Sequence, residues 1–194
     1  QCLETHVFHP WEGGEGKVAL QYKTALFALA EEKMRGGEYR EAIELCRRTL
    51  SYPANLGEGK LPNVPDNRAH YLIGRCFAAL GEREESEKHL RAATVGSQIP
   101  APVRYYNDQP SDYIYYQGLA FAALGDTAGA KKSFNQLVSF GERHIFDKIE
   151  YDYFAVSMPE LEVYEDDIQK RSDDYCRLLT RLGKKGLEEI NCEK

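Results

Sequence analysis

The sequence predicts an all-α fold, a stack of antiparallel helix pairs, on three observations. One pattern occurs three times at a fixed interval: Ala30, Gly74 and Gly118 each follow the last by 44 residues, and Ala42, Ser86 and Ala130 repeat that interval. Within each copy, apolar residues recur at helical spacing and are then interrupted by Gly36-Gly37, Gly81 or Gly125. Small residues stand where the two helices of a pair would cross, positions at which an oversized side chain typically costs about 1–3 kcal/mol. Fixed-period self-similarity marks a repeat architecture, in which each unit buries its neighbour's apolar face.

The elements follow in order. Residues 1–16 read as an extended arm, because Pro10 and Trp11 disfavour a helix there; the arm is expected to cross the first helix pair, with Trp11 covering the end of the core. Three repeats are expected over 17–140, as helices 17–35 with 38–51, 67–80 with 83–95, and 111–124 with 127–140. Two long connectors, 52–66 and 96–110, hold six of the eight prolines. Residues 141–194 read as a divergent helical cap. An irregular stretch through Phe146, Tyr151, Tyr153 and Phe154 contributes a helix before Pro159, a second helix runs from about 160 to 182, and a short third starts at 184. Tyr175-Cys176, Leu179 and Leu182-Gly183 repeat the earlier Leu-Gly signal and read as a degenerate fourth repeat.

The order of small residue, aromatic, Leu-Gly, acidic turn and small residue is carried by Gly74, Phe77, Leu80-Gly81, Glu82 and Ser86. It recurs as Gly118, Phe121, Leu124-Gly125, Asp126 and Ala130. This order resembles the tetratricopeptide repeat, whose period is about 34 residues, with the surplus here placed in the two connectors. The resemblance covers about residues 17–140 and implies a right-handed superhelix with a concave groove. A narrower resemblance rests on Thr5 to Lys17, on Asn55-Leu56-Gly57-Glu58-Gly59-Lys60 and on Tyr153-Phe154-Ala155-Val156-Ser157. These segments resemble the C-terminal repeat region of a family of large bacterial proteins of unknown function, which implies an accessory module and supplies no catalytic residues.

Composition narrows the function classes. The 194 residues are 42% hydrophobic and 29% charged, with a net charge of −6, which argues against a nucleic-acid footprint. No apolar run approaches the roughly 20 residues of a membrane helix. Five cysteines, an odd number without a C-x-x-C pair, suggest neither a disulfide framework nor a zinc ribbon. Cys46 and Cys76 fall at packing positions of the repeats, and a reducing cytoplasm is the expected location. A chain that starts at Gln1 reads as a processed product or an excised piece of a longer one.

Several motifs bear on chemistry. Gly14-Glu15-Gly16-Lys17 recurs as Gly57-Glu58-Gly59-Lys60, each before the first helix of a pair. Glycines before a helix start suit an anion, but Trp11 and Ala54 stand where a phosphate loop needs its first glycine, and Val18 and Leu61 follow the lysines. A shared loop conformation is the favoured reading, with a carboxylate or sugar ligand as the alternative. His6, His9 and Glu12 could supply three metal ligands, but an extended segment does not make them converge, so no metal is expected. Tyr105-Tyr106-Asn107-Asp108 in the second connector suits sugar stacking or peptide recognition. Asp166-Asp167 and Asp173-Asp174 read as a solvated acidic face. No nucleophile-base constellation can be placed, and neither an enzyme activity nor a cofactor is expected.

The repeat resemblance also implies which positions face the groove. It gives Thr24, Phe27, Glu31, Met34 and Arg35 in the first copy, and Arg68, Tyr71, Arg75, Ala78 and Ala79 in the second. In the third it gives Asp112, Tyr115, Leu119, Ala122 and Ala123. Phe27, Glu31, Arg35, Arg68, Tyr71, Arg75, Asp112 and Tyr115 are the candidate binding residues, with the arginines suited to the carboxylates of an acidic peptide. The expected function is a non-enzymatic interaction module that binds a protein or peptide, or a domain of the same parent chain. An accessory domain of a larger carbohydrate-active or sugar-binding bacterial protein is the alternative. Self-association as a homodimer through an open end of the stack is a third reading.

Overall fold

Each predicted helix pair is closed by the same turn. Gly37, Gly81 and Gly125 adopt left-handed φ of 77°, 77° and 84°. The amide that follows each reaches back to the preceding helix: Glu38 N to Lys33 O at 2.9 Å, Glu82 N to Phe77 O at 2.9 Å, and Asp126 N to Phe121 O at 2.8 Å. This is the six-to-one bond by which a helix stops on glycine. The acid after the glycine then opens the next helix, and Asp126 accepts from Gly129 N at 2.8 Å as a side-chain cap.

The computed structural model describes residues 2–9, 14–103, 108–150 and 167–192. Among these the regular secondary structure is all helical, with no strand. The helices are α1 (Cys2–Thr5), α2 (Lys17–Arg35), α3 (Tyr39–Arg48), α4 (Asn67–Ala79), α5 (Arg83–Ala93), α6 (Tyr113–Ala123), α7 (Thr127–His144) and α8 (Ile168–Cys192). A 3-10 turn occupies Ala54–Leu56. The chain divides into two compact units, Gln1–Val95 and Gly96–Lys194.

In the first unit α2 packs on α3, α3 on α4 and α4 on α5. The core is Phe27, Ala30, Ala42, Ile43, Cys46, Ala69, Leu72, Ile73, Cys76 and Phe77. Gly74 is an anchor for a packing reason, since a Cβ there would lie 2.8 Å from Leu90 Cγ. The arm is not wholly extended: Cys2–Thr5 form α1, and Leu3 and Phe8 pack on a small cluster of Tyr22, Leu26 and Leu56. Trp11 lies outside the described residues.

In the second unit α6, α7 and α8 pack on one another around Ile114, Tyr115, Ala130, Phe134, Leu137, Phe140, Cys176, Leu179 and Ile190. The C-terminal cap differs from the one the sequence predicts. Residues 168–192 form one helix of 25 residues, so there is no break at Gly183 and no separate helix from 184. Gly183 is buried against Phe134 O and Val138, and Gly186 against the Phe134 ring, so both glycines serve close helix approach rather than a turn. Residues 145–150 carry no helix. The remainder of the helix expected before Pro159, and the start of the one expected from 160, lie outside the described residues.

Candidate functional site

The candidate residues of the first unit come together on α2 and α4. Phe27 is buried on α2, and the Arg68 guanidinium of α4 lies over its ring at 4.5 Å. Arg68 Nη2 donates to Glu31 Oε1 at 2.7 Å, so Phe27 and Glu31, one helical turn apart, hold Arg68 by its face and its edge. Two turns further along α4, Arg75 Nη1 donates to Tyr71 Oη at 3.1 Å. Met34 and Tyr71 are half-buried against the core beneath, while Arg35 and Arg75 are exposed. Arg68 therefore already has a carboxylate partner, whereas the hydrogen-bond partner of Arg75 is a neutral phenol.

The candidates of the second unit are placed differently. Tyr115 occupies the repeat position of Tyr71 but is only 5% exposed and belongs to the core. Its hydroxyl donates to the Glu189 carboxylate at 3.2 and 3.3 Å, and Lys185 Nζ stands 5.6 Å from its ring centroid. Helix α8 thus packs over Tyr115 through Glu189 and Lys185. Asp112 is half-buried at the start of α6 and makes no side-chain cap.

The two glycine-rich loops find each other. Glu58 of the second loop accepts from Gly16 N at 2.7 Å and from Ala19 N at 3.0 Å, at the first turn of α2. Lys60 donates to Leu50 O at 3.0 Å and to both Asp66 carboxylate oxygens at 2.6 Å. The carboxylate considered as a ligand for the first loop is thus supplied by the chain itself. Sequence reasoning missed this bond because nothing in a local pattern pairs residues 42 positions apart. A signal was present all the same, in an acid between two glycines at almost the repeat interval.

The arm is also fastened to that connector. Phe8 N donates to Asn55 O at 2.8 Å, Asn55 Nδ2 donates to Leu3 O at 3.0 Å and His6 O at 2.8 Å, and Arg48 pairs with Glu4. His6 Nδ1 lies 3.2 Å from Cys2 O. Among the described residues no group of three or more His, Cys, Asp or Glu is placed to hold a metal ion, and Glu12 lies outside them. Of the tyrosine-rich stretch, Tyr105, Tyr106 and Asn107 also lie outside. The second connector is tied to α8 by Tyr175, whose hydroxyl accepts from Ser111 N at 2.8 Å and donates to Ala101 O at 3.0 Å.

Five thiols are free, and they divide by burial: Cys46, Cys76 and Cys176 are buried, Cys2 and Cys192 exposed. Burial pushes Cys46 up to about 12 and Cys76 up to about 11. Packing thiols are what the repeat positions called for.

A family model for the tetratricopeptide repeat matches residues 112–139. The match supports a tetratricopeptide-repeat protein. It spans α6 and most of α7, the pair in which Gly118 faces Phe134. Tetratricopeptide repeats generally mediate protein–protein interaction and are generally non-enzymatic. No solved structure matches the chain. No helix among the described residues is long and apolar enough to cross a membrane.

Proposed function

We propose that this chain is a non-enzymatic interaction module, and that its first unit binds an acidic peptide segment across Phe27, Glu31, Arg35, Arg68, Tyr71 and Arg75. The observation that carries this reading is the shared surface of α2 and α4, where Phe27 and Glu31 position Arg68 and where Arg75 leans on Tyr71. Arginine held in place by aromatic and acidic neighbours loses little freedom on binding, and arginine and tyrosine dominate binding hot spots. The exposed charges of Arg35 and Arg75 meet the ligand, while Arg68, already neutralised by Glu31, shapes the floor. The resemblance to the C-terminal repeats of large bacterial proteins makes a neighbouring domain of the same parent chain a second source of such a segment.

An array of acidic, neutral and basic peptides, probed with wild type and with Arg75→Glu, tests the reading. Acidic peptides should be retained by wild type and weaken with added salt. The variant should lose them at an unchanged melting midpoint. Equal retention by both proteins, or a preference for basic peptides, would overturn it.

A further inference from the structure

Two histidines meet head-on between α4 and α5. The Nδ1 atoms of His70 and His89 lie 3.0 Å apart while their ring centroids are 5.2 Å apart, so the two nitrogens point at one another. With both rings neutral, one nitrogen donates and the other accepts. One added proton keeps that bond, since an imidazolium still donates to a neutral partner. A second proton leaves two donors and two like charges facing each other, and the contact must open.

The charges around the pair are already matched among themselves. Asp66, one turn before His70, is held by Lys60 at 2.6 Å. Glu85, one turn before His89, is paired with Lys88 at 3.0 Å. Arg47 of α3, itself on Glu44, adds a positive charge that acts on His89. Burial, ahead of these charges, holds both imidazoles below the ordinary histidine value.

The two helices have no slack at this place. A Cβ at Gly74, one turn beyond His70, would lie 2.8 Å from Cγ of Leu90, the neighbour of His89. The His89 ring also stacks on Phe77, a core residue of α4, with centroids 5.7 Å apart. A disturbance at the pair therefore reaches the packing of α4 directly, and α4 carries Arg68, Tyr71 and Arg75.

We propose that His70 and His89 form a proton-operated clamp between α4 and α5, whose opening withdraws the α4 surface from its acidic ligand. The regulatory half of this rests on the reading of that surface given above. The clamp opens below about pH 6.5, well above the pH near 4 at which a peptide's own carboxylates take up protons, so the two effects separate.

Hydrogen exchange of the full chain at about pH 7.5 and about pH 5.5, corrected for the intrinsic rate, reads the clamp whether or not a peptide binds. Helices α4 and α5 should lose protection at the lower pH while α6 keeps its own. His70→Asn and His89→Asn each supply an amide that pairs without ionising, and neither variant should show the loss. The best acidic peptide of the array should bind wild type at least about fivefold more weakly at the lower pH, and each variant within about twofold at both. Unchanged protection in wild type, or the same loss in both variants, would overturn the clamp. A clamp that opens without weakening the peptide would overturn the regulation. Failure to bind any acidic peptide at either pH would overturn the groove reading instead, with the exchange still deciding the clamp.

Discussion

Phe134 of α7 and Gly186 of α8 are matched to one another: the ring is fully buried, and a Cβ added at Gly186 would overlap it. Gly118 of α6 meets the same ring, a Cβ there also falling against Phe134 Cε1. One phenylalanine thus fixes how closely two helices approach α7. Gly186→Ala and Gly118→Ala should each lower stability by about 1–3 kcal/mol in urea unfolding. Combining Gly186→Ala with Phe134→Leu should cost clearly less than the sum of the two single changes, because the smaller side chain makes room. Simple additivity would show that the two residues do not share the strain.

Removing the carboxylate at residue 58 exposes the first turn of α2. Glu58→Ala should cost about 0.5–2 kcal/mol, the range for losing a helix cap. Sulfate should then recover more stability in the variant than in wild type, because the vacated amides of Gly16 and Ala19 form an anion site at a helix start. Equal sulfate effects on both proteins would rule out that role for Glu58.

The thiols predict a reactivity pattern and a pH slope. Cys2 and Cys192 should react with a thiol reagent in the native protein, and all five only after unfolding. Cys46 and Cys76 have folded values of about 12 and about 11, raised by burial above the ordinary 9.0. Their contribution to stability is complete below pH 9 and is lost as pH rises through those folded values. The melting midpoint should therefore fall over this alkaline window, and the fall should be shallower in a Cys46→Ala, Cys76→Ala variant.

His70 of α4 and His89 of α5 face each other with their Nδ1 atoms 3.0 Å apart, and the His89 ring stacks on Phe77. One nitrogen must donate and the other accept. Burial, ahead of any charge, holds both below the ordinary value of 6.5, with Asp66 and Lys60 acting on His70. His70, Glu85, Lys88 and Arg47 act on His89. A lowered folded value means that their stabilisation is present above pH 6.5 and lost as pH falls through the folded values. Acid titration of the melting midpoint should show this loss, and His89→Gln should reduce its slope.

Much of this fold is legible in the amino-acid sequence, for reasons that individual residues make clear. Gly74 and Gly118 announce their helix crossings because each must accommodate a large side chain, Leu90 or Phe134, across the pair. Gly183 misleads because its Leu-Gly context matches a repeat turn. The distinguishing residue is the next one: an acid follows Gly37, Gly81 and Gly125, whereas Lys184 follows Gly183 and the helix continues. Tyr115 misleads for another reason. Periodicity places it level with Tyr71, but α8 has no counterpart in the first unit, so no internal comparison reveals what covers it. The Phe27, Glu31 and Arg68 contact lies between these cases, its positions implied by the repeat and its ion pair visible only in three dimensions.

The first connector also constrains the length of its own repeat. Within one stretch of irregular backbone, Glu58 braces the start of α2, Asn55 holds the arm and Lys60 bridges the end of the first repeat to the start of the second. Trimming it to an ordinary tight linker would leave the three repeats nominally intact and yet undo the chain's beginning. The ten or so surplus residues act as a clasp, and lineages that shorten this segment would have to replace all three of its grips together.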